Sequence, residues 1–444
     1  MAMNYLKVGL VFGLAWLLNA LAPQLLPRIA ELGGVESAIA ATLWCVSLFL
    51  GFGWACSKAA EGTIFPNFTL QLLVGIVLHD ALAPLSVQLT LAVVVCTLLA
   101  AVILKSGGDE IDRHAFLKIA YPTVMIAVVG YLITFLVTYV LLLWLGLDGK
   151  TAALLAAILG STDPAALIPT LKQLLIKPEY RRVSDMAVAE SALNDAVGAI
   201  FTSAVAALIL GGAKLEGLSG LSAGLFSADN LLLLGQQFFF GTLAGLIGCL
   251  CMVLFERYKR AHYKSGAVEP MYDFAIALGL PLLTFLLAQM IHGNGFLAAF
   301  IAGLLGNLNR GSQAFHALIH SMETKIESVA KPTIFMMVGP FVAVQDLGQT
   351  AVLGLLASLL FIFVARPLAV FLSLLPSDIS LKEKLFLCAV RETGVIPVVL
   401  AVMTAAQFPE LHLLMPLTAW VVIWTLTLLP AITPWWAGKL KILD

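Results

Sequence analysis

Charge is what this chain is short of. Only 11% of its 444 residues are Asp, Glu, Lys or Arg, against 61% hydrophobic, and the mean hydropathy is +1.00. That balance excludes a soluble globular domain. No basic run suits nucleic acid, and a net charge of −1 points to no nucleic-acid or acidic partner. The six cysteines (Cys45, Cys56, Cys96, Cys249, Cys251 and Cys388) lack the paired spacing and histidine complement of a zinc site. They read as small buried side chains. No small-residue cleavage site follows Lys7 and the first apolar run, which therefore reads as a retained helix. No stretch resembles a soluble domain or a disordered linker, so no appended nucleotide-binding domain is expected.

What the chain does have is fourteen apolar stretches, at 5–22, 38–56, 68–82, 86–105, 118–145, 151–173, 184–211, 231–256, 270–291, 294–308, 330–345, 349–375, 383–405 and 411–433. A membrane-spanning helix takes about 20 apolar residues. The chain therefore reads as an all-α polytopic membrane protein of thirteen or fourteen transmembrane helices, the third, tenth and eleventh stretches being short. Cytoplasmic loops carry the excess of Lys and Arg. With fourteen spans and the N-terminus inside, twenty of the 25 basic residues, Lys105 among them, fall on the cytoplasmic side and three on the other. Arg366 and Arg391 fall inside spans. Both termini are thus expected in the cytoplasm, with Trp435-Trp436 at the membrane interface.

Carboxylates inside lipid-length segments are costly and mark functional sites. The sixth span holds Leu159-Gly-Ser-Thr-Asp-Pro164, and the seventh holds Ala189-Glu-Ser-Ala-Leu-Asn-Asp-Ala-Val-Gly198. Pro164 lacks an amide hydrogen and clashes with the carbonyl four residues earlier, so the sixth span should open there. Freed carbonyls and the Thr162 hydroxyl then become candidate oxygen ligands for a hard cation. Asp163 would meet the positive end of the following half-helix, either as a cap or as an ion contact. On the seventh span Glu190 and Asn194 are four apart, as are Ser191 and Asp195, so they stack as two adjoining ridges.

Thr393-Gly-Val-Ile-Pro397 interrupts the thirteenth span in the same manner. The sixth and thirteenth spans run in opposite directions, so the two breaks occupy corresponding places in five-helix units of opposite orientation. Secondary transporters are built this way, with their sites where the breaks meet. Arg366 needs an anionic partner, from among Glu190, Asp195, Asp163, Asp273 and Glu392. If Glu190 takes it, Asp195 is left as the titratable, cation-binding acid. Arg391 and Glu392 lie at the second break, either neutralising half-helix ends or forming a structural ion pair. His316 and His320, four apart in the loop before the eleventh stretch, lack a third ligand and read as a solvated face.

These residues carry a resemblance. Thr162-Asp163-Pro164 followed by Glu190-Ser-x-x-Asn194-Asp195 is similar to the paired core motif of the cation/proton antiporter superfamily, in its NhaP-type sodium/proton branch. Leu104-Lys-Ser-Gly-Gly-Asp-Glu110, Gly293-Asn-Gly-Phe-Leu-Ala-Ala-Phe-Ile-Ala-Gly303, Arg366-Pro367 and Arg391-Glu-Thr-Gly-Val-Ile-Pro397 extend it along almost the whole chain. The resemblance implies an NhaA-like fold of two inverted five-helix repeats with crossed broken helices, near 64–211 and 294–433, with linking and panel helices at 1–63 and 212–293. It implies a homodimer in the lipid bilayer of the bacterial inner membrane, exchanging Na+ for H+ without cofactor or enzymatic step. Asp195 would bind cation and proton, with Thr162, Ser191 and Asp163 beside it. Asn194, Glu190, Arg366, Arg391 and Glu392 would support the site, Glu190 paired to Arg366. An Asn-Asp pair, where the electrogenic branch has two acids, implies one-for-one electroneutral exchange. Arg391-Glu392 departs from the common Arg-Gly pattern, and the first helix is additional to the usual thirteen.

Burial disfavours the charged form of a carboxylate, so proton and sodium ion compete for one acid, and alternating exposure of that acid couples the two fluxes. A K+/H+ antiporter or a channel-like cation efflux protein uses the same architecture. An intramembrane aspartyl protease would also place two acids on neighbouring helices, but the Gly-x-Gly-Asp element is missing.

Overall fold

The computed structural model of the chain describes residues 2–87, 89–111, 113–162, 164–213, 215–262, 270–308 and 313–443. Among these the regular structure is helical, apart from an isolated antiparallel bridge between Ile176 and Leu443. The chain begins with α1 (Ala2–Ala30), α2 (Gly34–Ala60), α3 (Asn67–Val77), α4 (Ala83–Val87) and α5 (Leu89–Asp109). Next come α6 (Arg113–Val124), α7 (Tyr131–Trp144), α8 (Gly149–Leu159), α9 (Pro164–Lys172) and α10 (Arg181–Leu210). The middle of the chain forms α11 (Gly217–Leu225), α12 (Ala228–His262), α13 (Pro270–Met290), α14 (Gly295–Leu308) and α15 (Gln313–Met336). It closes with α16 (Val344–Gln349), α17 (Ala351–Leu360), α18 (Arg366–Ser373), α19 (Leu381–Ala389), α20 (Val395–Gln407) and α21 (Leu414–Lys439).

Among the described residues eight helical spans are long and apolar enough to cross a membrane, two of them made of α6 with α7 and of α17 with α18, and α3, α8, α13, α14 and α20 hold shorter apolar segments. The eleventh stretch is displaced from its expected position at 330–345. Its helix, α15, begins at Gln313, because Glu323, Lys325, Glu327 and Lys331 depress the hydropathy of a segment that nonetheless packs on α2, α3 and α5. His316 and His320 consequently lie on a helix and not in a loop; the His316 side chain falls outside the described residues.

Lys105 is a second correction. It lies inside α5, fully buried, with its Nζ 2.5 Å from Asp109 Oδ2 and 2.6 Å from Glu323 Oε1. A buried ammonium requires such pairing, and the cluster ties α5 to α15. Of the cysteines, Cys45, Cys56 and Cys96 are buried as expected. Cys251 is exposed on α12, a helix whose outer face presents Leu231, Leu232, Phe238 and Leu250.

Two spans run through a π turn. Met125–Gly130 joins α6 to α7, and Phe361–Ala365 joins α17 to α18. Pro122 and Pro367 stand close by, each removing a backbone donor that the widened turn helps to make good. A π turn holds one residue more than an α turn, which rotates everything after it by about 100°. Tyr131 and Arg366 are the first residues after these turns.

Two other spans are broken outright. Pro164 opens α9 after the break that follows α8, and α20 resumes after a non-helical stretch that follows α19. Helix α10 packs against all four half-helices, and so carries its polar face to the crossing.

Candidate cation site

On α10 the residues Glu190, Ser191, Asn194 and Asp195 are all buried, as are Thr162, Arg366, Arg391 and Glu392. Such a density of buried polar groups is stable only if charge and hydrogen bonds are matched. Glu190 and Arg366 form a two-pronged pair, with Nη1 to Oε1 at 2.5 Å and Nη2 to Oε2 at 2.9 Å. Among the described candidate partners of Arg366, Glu190 is therefore the one engaged. The guanidinium also donates from Nε and Nη2 to the Leu387 carbonyl, at 3.1 and 2.9 Å, and from Nη2 to Val390 O at 3.5 Å. Asn194 donates to Glu190 Oε1 at 3.2 Å, so the first ridge is a structural partner for Arg366.

The carbonyls of Ala156 to Gly160, which lead into the first break, already accept hydrogen bonds. The Ala156 carbonyl accepts from Gly160 N–H, and Ile158 O from Ser161 N–H. Ala157 O accepts from the Tyr131 hydroxyl at 2.7 Å. Leu159 O and Gly160 O both accept from Arg391 Nη2, at 3.4 and 2.6 Å. The negative end of α8 is thus neutralised by a guanidinium and a phenol. Arg391 also donates to Thr134 Oγ1 at 3.1 Å and lies 5.0 Å from the Phe361 ring centroid. Its neighbour Glu392 turns elsewhere, its Oε1 accepting from Thr170 of α9 at 3.0 Å.

Thr162, Glu190, Ser191, Arg366 and Arg391 line one narrow cleft. Thr162 Oγ1, Ser191 Oγ and Asn194 Oδ1 are buried without a hydrogen-bond partner among the described residues. Buried hydroxyls and amides rarely remain so, and oxygen atoms of this kind suit a monovalent cation. Asp195 follows Ser191 by one turn on the same buried face. Asp163 lies outside the described residues, as does the side chain of Asp273.

A cavity of about 740 Å³ approaches the cleft. Asp109, Glu110, Asp185, Lys172, Arg181 and His320 line it, and it reaches Ala189, the neighbour of Glu190. Its wall carries three carboxylates against two basic side chains, and one of the three, Asp109, is paired with Lys105. The sequence reading missed Tyr131, Thr134 and Thr170, because a Tyr or Thr in an apolar helix carries no distinguishing signal. It also missed Glu323 as the partner of Lys105, which the glycine-rich stretch around Lys105 disguises as a loop.

Fold and site together have the architecture of a secondary transporter, a helical membrane protein with two broken helices and buried ionisable groups beside them. The family described as "Sodium/hydrogen exchanger, transmembrane" matches residues 45–439, and the chain belongs to it. It is 30% identical over 370 residues to Na(+)/H(+) antiporter 1 of Methanocaldococcus jannaschii, covering 80% of this chain and 82% of that protein. It is 29% identical over 327 residues to K(+)/H(+) antiporter NhaP2 of Shewanella oneidensis, covering 73% of this chain and 53% of that one. The chain therefore spans about half the length of that relative. The structure of the sodium proton antiporter MjNhaP1 from Methanocaldococcus jannaschii at pH 8 matches with a TM-score of 0.76 at 24% identity, over 91% of this chain and 99% of that one. That match supports the expected fold.

Proposed function

We propose that the chain is a transporter and not an enzyme, exchanging Na+ for H+ one for one by alternating access at Asp195. The observation that carries this reading is the division of labour on α10. Glu190 is committed to Arg366, while the unpartnered oxygens of Thr162 and Ser191 lie in the same cleft, on the face that Asp195 continues. Asp195 holds the cation or the proton, Thr162 and Ser191 supply neutral ligands, and Asp163 adds charge at the head of α9. Asn194, Glu190, Arg366, Arg391 and Glu392 hold the scaffold. Na+ and H+ reach the site from the cytoplasm through the 740 Å³ cavity.

The same reading divides the chain into inverted repeats near 64–211 and 294–433, with panel helices at 1–63 and 212–293. The paired π turns and paired breaks support that division. It also takes the chain, by its family resemblance, as a homodimer in the bacterial inner membrane, and by its basic-residue asymmetry as having both termini cytoplasmic. Purified protein in proteoliposomes with an imposed pH gradient tests the proposal. Adding Na+ should collapse the gradient, and clamping the membrane potential should not alter the rate. If no cation moves protons the reading is wrong, and a voltage-dependent rate would overturn the one-for-one stoichiometry. Potassium is the second reading, favoured by the similarity to a K(+)/H(+) antiporter; activity with K+ alone would select it.

A further inference from the structure

Tyr131 and Arg366 stand in matching places. Each is the first residue after a π turn, Tyr131 after Met125–Gly130 and Arg366 after Phe361–Ala365. Each reaches the end of the half-helix that leads into a break. The Tyr131 hydroxyl donates to the carbonyl of Ala157, third from the end of α8, and Arg366 donates to that of Leu387, third from the end of α19. Tyr131 is fully buried, its ring 5.3 Å from that of Phe201 on α10. Gly160 makes room for it, since a Cβ there would lie 2.2 Å from Tyr131 Cε2, and Gly198 makes room for the adjoining Ser161, whose Oγ would lie 1.9 Å from a Cβ.

From this correspondence we propose that Tyr131 is a positioning residue for the cation site, the first repeat's counterpart of Arg366. The breaks have the same architecture and different chemistry. At the second, a guanidinium both caps the half-helix and neutralises Glu190. At the first, the two tasks are divided: a neutral phenol holds the Ala157 carbonyl of α8, and the Arg391 guanidinium holds those of Leu159 and Gly160 beyond it. Holding the Ala157 carbonyl fixes the end of α8, and with it the register of Gly160, Ser161 and Thr162, whose hydroxyl faces the cleft. Tyr131 touches no ion; it acts by setting where Thr162 stands when the ion arrives. This inference rests on the proposed cation exchange.

The test is Tyr131→Phe in proteoliposomes, with wild type and Tyr139→Phe alongside. Tyr139 is also fully buried on α7, but its hydroxyl holds Leu215, between α10 and α11, and Gly217, the first residue of α11. Tyr131→Phe should raise KM for Na+ about fivefold, on the scale of one net hydrogen bond, with the maximal rate largely retained. Tyr139→Phe, which also loses one buried hydroxyl, should lower the Tm about as much as Tyr131→Phe does while leaving KM unchanged. Gly160→Ala, which displaces the ring and keeps the hydroxyl, should raise KM as well, and it decides the matter if Tyr131→Phe does not fold. An unchanged KM in Tyr131→Phe, or an equal KM rise in Tyr139→Phe, overturns the proposal. Absence of exchange by the wild type would instead overturn the functional reading itself.

Discussion

Asp195→Asn is expected to abolish cation-driven proton movement in proteoliposomes while leaving the purified protein folded. Asparagine keeps the volume and much of the hydrogen-bonding capacity of aspartate, but it neither titrates nor offers a counter-charge to a cation. The packing of α10 against the four half-helices should therefore survive, with the Tm close to that of the wild type. Exchange has no such margin. A hydrogen bond to a charged group contributes about 1.5–3 kcal/mol net, and here the lost group is also the exchange's proton carrier. The expected fall is on the order of 100-fold or more, down to the leak of empty vesicles. Glu190→Gln should be far milder in transport, because Glu190 is engaged with Arg366 and Asn194. Full exchange by Asp195→Asn would show that the carrier acid lies elsewhere.

The parts of this site that were legible in the sequence are those where polarity contradicts its surroundings. Glu190 and Arg366 stand out in lipid-length segments, and the cost of burying either charge alone was enough to suggest the pair that the structure contains. Pro164 and Pro397 announce their breaks, because a missing donor is a local property of the chain. The fourfold spacing of Glu190 with Asn194 likewise became a hydrogen bond. Hydropathy came close to the bounds of α13, expected at 270–291 and found at Pro270–Met290, but ended the first helix eight residues short of Ala30 and passed over α11.

Where the reading failed, the deciding partner is distant in sequence. Freed carbonyls at the first break were expected to await a cation, yet Ala157 O is met from Tyr131 and Gly160 O from Arg391, 26 and 231 residues away. Local reasoning finds an unsatisfied group without finding who satisfies it. Helix α15 was truncated for a related reason: its charged half reads as a loop until Glu323 meets Lys105 across 218 residues. Tyr131 would have been accessible by aligning one half of the chain on the other in the same chain direction, since the residue after the second π turn, Arg366, was already conspicuous.

Breaking the Glu190–Arg366 pair should have unequal consequences for its two members. Arg366→Met strands a buried carboxylate whose remaining partner is the Asn194 amide, and it also strips the donors from Leu387 O and Val390 O at the end of α19. Removing one member of a buried pair costs about 3–5 kcal/mol, so this variant should lose much of its folded yield. Glu190→Gln leaves Arg366 with its backbone acceptors, and should lower the Tm less. Combining the two removes both charges together. The double variant should then recover a substantial part of the stability lost by Arg366→Met, though not all of it, because the carbonyls of α19 remain without their donor. Thermal unfolding and the monodisperse yield of the four proteins in detergent measure the coupling. If the two losses simply add, Glu190 is not what makes Arg366 necessary. If the double variant is rescued, Asp195 should still exchange cations for protons in it, with its scaffold loosened and its carboxylate intact.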